Sequence, residues 1–318
     1  MRARRFACAG LCLLLGGGSA VADGGYATRD LNPVLQPIYL PTLATFNPAN
    51  GWKIDHSIYV TNTTQEESRG GESLVIDVEN YRYELGLRYR HDQWLARIDI
   101  PYVANSAGEL DGTIEDWHEF WGFSNGDRDK FDNDQLNIDY RRDGELEYLQ
   151  DERSSGLGDI GLALGYQASA ELAWFVGLEL ASGDADDFSG NEAVDTALWL
   201  TYQGKAGEHA GLFALFGVSF PGDGGNLEGL VADRIWVAQA GFDYRIYPSV
   251  VGTLQLDWHS ESVDGSKLTA FGDSLQVVVG LGFIDFPGKH RLDLFFTEDI
   301  LVGSAPDITF GLRLSRAY

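Results

Sequence analysis

The chain has 318 residues, 48 of them acidic and 23 basic, for a formal net charge of −25. That balance excludes a nucleic-acid partner, which needs clustered lysine and arginine. The two cysteines, Cys8 and Cys12, lie too near the start to build a disulfide framework or a thiolate metal site.

Residues 1–22 read as a cleaved export signal. Arg2, Arg4 and Arg5 give a positive start, Phe6 to Leu15 a short apolar run, and Ala20-Val21-Ala22 a small-x-small cleavage site. Residues 23–50 follow, with Pro33, Pro37, Pro41 and Pro48, too much proline for a central strand. Leu35, Ile38, Leu40, Leu43 and Phe46 make this segment more apolar than a solvated tail. It is expected as a periplasmic lead-in or as a plug docked in a barrel mouth, with the balance toward docking.

From residue 51 to 318 the chain alternates. No stretch approaches the roughly 20 apolar residues of a helical span. An exported chain can still cross a bilayer as a closed barrel, whose backbone groups are all paired. Leu85–Leu87–Tyr89, Leu162–Leu164–Tyr166, Leu198–Leu200–Tyr202, Ala240–Phe242–Tyr244, Val279–Leu281–Phe283 and Leu314–Arg316–Tyr318 repeat one motif: alternate residues closing on an aromatic ring. A period of two puts each set on one strand face, and the ring suits the boundary between hydrocarbon and headgroups.

The spacing predicts strands over 51–61, 73–90, 93–103, 156–167, 171–181, 194–203, 211–220, 234–244, 250–260, 273–283, 290–299 and 307–318. The fold class is therefore all-β, an antiparallel up-and-down transmembrane barrel of about twelve strands. Turns after alternate strands are brief and face the periplasm; the others, notably 104–155, 182–193 and 221–233, are long outer loops rich in Asp, Gly and Asn. Trp52, Trp94 and Trp174 mark periplasmic starts, and Phe220 and Trp258 outer ends.

The opposite strand faces carry Arg82, Glu84, Arg88, Arg97, Asp99, Glu179, Asp243, Gln255, Asp257, Gln276, Asp293 and Arg313. An arginine facing lipid would cost about 2–4 kcal/mol at the midplane, so these side chains are expected to line the lumen. Arg82, Arg88, Arg97 and Arg313 fall on neighbouring strands across the closure point and could face an acidic wall. Bridged charges could seal a narrow barrel, or flank water and filter charged solutes.

In loop 104–155, Ile114, Trp117 and Trp121 recur at helical spacing. The loop either packs on itself over the rim or enters the barrel, where Trp117, His118, Glu119 and Trp121 would line a constriction. Gly122-Phe-Ser124-Asn-Gly126 has the letters of a nucleophile elbow, and Gly156-Leu-Gly158-Asp159-Ile-Gly161 those of a dinucleotide fingerprint. Neither has the strand-to-helix setting that chemistry requires, so no enzyme and no cofactor are expected. Asp127, Asp129, Asp132 and Asp134, and then Asp184, Asp186 and Asp187, could bridge divalent cations to lipid phosphates, although neither set has calcium-loop spacing.

Leu31-Asn32-Pro33, the run Trp117-His118-Glu119-Phe120-Trp121-Gly122 with Asn125-Gly126-x-Arg128, and Gly156-Leu-Gly158-Asp159 resemble an exported proteobacterial family, domain of unknown function 3187. The resemblance implies an outer-membrane barrel without assigned activity or site residues. Phe46-Asn47-Pro48-Ala49 also resembles the plug segment of long-chain fatty-acid channels, a family with more strands. The sequence thus predicts a passive channel for a small solute, with outer-membrane lipid as its other partner. The alternatives are a closed structural barrel displaying acidic loops and a membrane-embedded hydrolase using Ser124 and His118.

Overall fold

The computed structural model describes residues 24–46, 49–108, 110–122, 131 and 135–318. The expected export signal, Ser124 and the acids Asp127, Asp129, Asp132 and Asp134 lie outside these residues. Fifteen strands form one sheet: β1 (Gly51–Arg69), β2 (Glu72–His91), β3 (Trp94–Ser106), β4 (Asn137–Arg142), β5 (Glu145–Gln150), β6 (Ser154–Leu157), β7 (Ile160–Gln167), β8 (Leu172–Leu180), β9 (Asp195–Lys205), β10 (Ala210–Phe220), β11 (Ile235–Tyr247), β12 (Val250–His259), β13 (Ser274–Phe286), β14 (His290–Asp299) and β15 (Ile308–Ala317). β6 and β7 both pair with β3 and count as one barrel strand, interrupted at Gly158-Asp159. The β4–β5 hairpin pairs only on the outer end of β2, so the closed barrel has 12 strands.

Pairing β1 with β15, from Lys53 opposite Ala317 to Asn62 opposite Ile308, closes the cylinder. Closure removes every edge that would otherwise leave backbone groups bare in lipid. The alternation sorts the side chains as the sequence demands. On β8, Ala173 and Phe175 are buried inside while Trp174 and Val176 are exposed outside. The exposed face continues through Leu198, Phe216, Phe242, Leu254, Leu281, Leu294 and Leu312. This apolar band is solvated by lipid tails, and the barrel belongs in the bacterial outer membrane. At the periplasmic rim Trp52 packs on Tyr89 at 4.6 Å between ring centres and Trp94 on Tyr166 at 5.4 Å. The Tyr318 amide donates to the Trp52 carbonyl, tying the last residue to the same belt.

Placing an arginine at Leu254, midway along β12 on the lipid face, should lower barrel stability by about 2–4 kcal/mol. Urea unfolding in lipid vesicles measures this, and an unchanged midpoint would mean that the face does not meet hydrocarbon.

Two outer features differ from the spacing. β1 does not stop near residue 61 but runs to Arg69, joined to β2 by a tight Gly70-Gly71 turn. Both glycines have positive φ, the requirement of a two-residue hairpin turn. The run Thr61-Asn62-Thr63-Thr64-Gln65 has no apolar alternation, yet all five residues are buried. Neighbouring loops and β15 partner several of them: Asn62 donates to Asp111, Gln65 to the Gly303 carbonyl, and the Thr61 hydroxyl meets that of Thr309. The 104–155 connection is likewise not a plain loop. It holds α1 (Asp111–Trp121) and the β4–β5 hairpin. Leu74, Ile76, Ile138, Tyr140, Tyr148, Phe188, Leu227 and Phe271 build an apolar core beneath these outer elements.

Candidate functional site in the barrel lumen

The inward faces divide into two walls. β14, β15, β1, β2 and β3 are consecutive neighbours and carry the basic wall. Lys53 lies 3.3 Å from Asp55, Arg82 3.2 Å from Glu84, and Arg88 2.7 Å from Asp99. Arg97 bonds to the other oxygen of Asp99. Arg313 and Arg291 share Asp293 at 3.0 and 2.8 Å. Each of these cations thus meets a carboxylate of its own wall. The other side of the barrel carries Asp159 before β7, Glu179 on β8, Asp195 on β9, Asp243 on β11 and Asp257 on β12, all buried.

The space between the walls is filled by residues 24–43. Pro33, Pro37 and Pro41 offer no amide hydrogen, so this segment joins no sheet. Its remaining backbone groups still need partners in the interior, and wall side chains supply them. The rising arm follows β12 in step. The Gly24 amide donates to Asp243 (3.2 Å), the Tyr26 amide to Gln255 (2.8 Å) and the Thr28 hydroxyl to Asp257 (2.5 Å), while Asp30 pairs with His259 (3.1 Å). Gln255 also donates to the Tyr26 carbonyl, and Gln239 to that of Thr28.

A turn at Asn32 reverses the chain, with the Leu35 and Gln36 amides donating to the Asn32 carbonyl. The returning arm crosses to other strands. The Tyr39 amide donates to Asp195 (2.8 Å) and the Leu43 amide to Gln239 (2.9 Å). Arg97 donates to the carbonyl and hydroxyl of Thr42 at 2.9 and 2.6 Å. Lys53 reaches Thr45, and Phe46 stacks on Phe175 near the periplasmic rim. Both arms therefore start at the periplasmic end, and the turn points outward. At that turn Val34, Leu35 and Ile38 join the apolar core under the outer loops. What space remains beside Arg29, Tyr59, Arg82, Arg97 and Glu179 is a cavity of about 30 Å³, room for water but not for a solute.

All ten charged residues assigned to the lumen from alternation stand on inward faces: Arg82, Arg88, Arg97, Asp99, Glu179, Asp243, Asp257, Asp293 and Arg313 are buried and Glu84 is half-buried. α1 leaves Glu119 exposed, and the side chains of Trp117, His118 and Trp121 lie outside the described residues. Among the described residues no group of three side chains is placed to hold a metal. Asp159 accepts the amides of Ser182, Gly183 and Asn191, a loop-fixing role. Lys53, Asp55, Asp195, Gln239 and Arg291 complete the lumen and were not singled out by the motifs. The parity of their strands marks all five, Asp195 through its phase with the inward Ala197, Trp199 and Thr201. Arg29 sits in a segment without any period.

The fold is shared with a solved outer-membrane channel. The COG4313 outer membrane channel from Pseudomonas putida F1 superposes with a TM-score of 0.57 at 16% identity, over 86% of this chain and 97% of that one. The CymD monoaromatic hydrocarbon channel aligns at a TM-score of 0.41 and 9% identity, over 94% and 95% of the two chains. The Pseudomonas putida toluene transporter TodX aligns at 0.40 and 9%, over 92% and 94%. Comparison with curated proteins finds no match. A family profile covers residues 19–318, the whole barrel and its lumenal segment, and the chain belongs to the family described as Protein of unknown function (DUF3187).

Proposed function

We propose that this protein is a passive outer-membrane channel for small solutes, closed by residues 24–43 and opened when that hairpin withdraws toward the periplasm. The observation that carries the reading is how the hairpin is held. Inside the barrel it is fastened by separate contacts with wall side chains, each hydrogen bond worth about 1 kcal/mol net, rather than by a sheet ladder. Such bonds can be exchanged for water as the lumen hydrates. The wall that remains is charged on both sides, a surface suited to line water. Loop 104–155, with Trp117, His118, Glu119 and Trp121, would then shape the outer entrance rather than the narrowest point.

The tight packing favours a second reading, a sealed barrel that displays acidic loops. Planar-bilayer recording of the intact chain and of a chain lacking residues 24–45 separates the two. Rare openings in the first and steady conductance in the second are expected; silence in both would establish the sealed barrel.

A further inference from the structure

The two walls depend on the hairpin to different degrees. On the basic wall the counter-ions are built in: Asp55, Glu84, Asp99 and Asp293 stay on their strands wherever residues 24–43 go. On the acidic wall, part of the compensation is borrowed. Glu179 lies 3.9 Å from the guanidinium of Arg29, which the hairpin presents and steadies through its own carbonyls at Gln36 and Ile38. The second oxygen of Glu179 is buried and has no hydrogen-bond partner among the described residues. Asp257 accepts from the Thr28 hydroxyl, and Asp195 from the Tyr39 amide. Withdrawal of the hairpin removes all three partners together and leaves Asp257 with Gln255 and Asp195 with Asn191 and the Gly222 amide, none of them a cation.

We infer that the open lumen is a path for cations, with Glu179 as the binding point of a permeating cation and the Arg29 guanidinium as its tethered stand-in. This deepens the channel reading and rests on it. Emptying the lumen leaves a basic wall on which four carboxylates offset all but two of six cations, and opposite it a lane of four carboxylates, Asp159, Glu179, Asp195 and Asp257, that has lost Arg29. A lane of one sign between low-dielectric walls concentrates counter-ions by tenfold or more in order of magnitude. Lys205 and Arg245 stand at the periplasmic ends of β9 and β11, the opposite end of β9 from Asp195. The solute class is small cations, including organic ones that carry an ammonium or guanidinium group, which Glu179 would meet as it now meets Arg29.

The test is the reversal potential of the chain lacking residues 24–45, recorded in a potassium chloride gradient and again with guanidinium chloride. Potassium should pass in preference to chloride by about tenfold, and guanidinium should carry current. Glu179→Gln with Asp257→Asn in the same background should bring the ratio close to unity. If the shortened chain does not insert, openings of the full chain carrying Gln255→Leu give the same readout. Chloride preference, or a cation preference that the paired substitution leaves unmoved, overturns the cation path while the channel reading stands. Silence in every variant overturns the channel reading and this inference with it.

Discussion

Replacing Gln255 by leucine should raise the ratio of open to closed time about a hundredfold. Gln255 is fully buried and meets both backbone groups of one hairpin residue. Its carbonyl oxygen accepts the Tyr26 amide at 2.8 Å, and its amide donates to the Tyr26 carbonyl at 3.1 Å and the Thr28 hydroxyl at 2.9 Å. Leucine fills a similar volume but strips the Tyr26 amide and carbonyl of these bonds and leaves the Thr28 hydroxyl only its bond to Asp257. A stranded buried polar group costs about 1–3 kcal/mol, and the cost falls on the closed state alone, because an undocked hairpin is hydrated. A loss of about 3 kcal/mol from one of two states is a shift of about two powers of ten in their ratio. Gln255→Glu should open the channel at least as far as leucine does, since it keeps an acceptor for the Tyr26 amide but sets a second carboxylate against Asp257, whose oxygen the native amide meets at 2.8 Å. Open probability in planar bilayers measures both. Equal open times in all three proteins would show that this rung does not hold the hairpin.

The same rung shows what the sequence makes legible and what it hides. Gln255 is recognisable as inward-facing because Leu254 and Leu256 flank it at a period of two, and the lipid band leaves no other face for an amide. That it grips residue 26 is invisible, because the partners are 229 positions apart and the contact runs between a side chain and a backbone. Backbone groups are the same in every residue, so no composition or spacing records which of them a glutamine will meet. The barrel itself is legible because lipid imposes one rule on every strand. Where lipid ends, so does the rule. The Thr61–Gln65 stretch lies on an extension of β1 covered by protein, and the β4–β5 hairpin is built on the outer end of β2 beside it. There burial on both faces removes the alternation that would announce a strand. Residues 23–50 look proline-rich and apolar together, which suggests a docked segment without saying where its arms run.

The largest loss of stability is expected from Asp99→Leu. Arg88 and Arg97 both turn on this one carboxylate, at 2.7 Å for Arg88 and in closer contact for Arg97, and all three are buried. Removing the shared anion strands two guanidinium groups where water cannot reach them freely. Breaking a buried pair by deleting one partner costs about 3–5 kcal/mol. Arg88 retains only a distant carboxylate, Asp55 at 3.9 Å, so little of the loss is recovered there. The urea midpoint of the folded barrel should drop accordingly. The triple variant Arg88→Met, Arg97→Met and Asp99→Leu should recover most of it, because an apolar cluster of similar volume has no charge to desolvate. Recovery of stability should not restore closure. Arg97 is also the clamp on the carbonyl and hydroxyl of Thr42 in the returning arm, and methionine cannot replace either bond. The triple variant should therefore be robust and leaky at once, which separates what holds the cylinder from what holds its plug. A triple variant no more stable than Asp99→Leu alone would show that the ion cluster is not where the stability resides, and one that stayed shut would show that Arg97 does not clamp the hairpin.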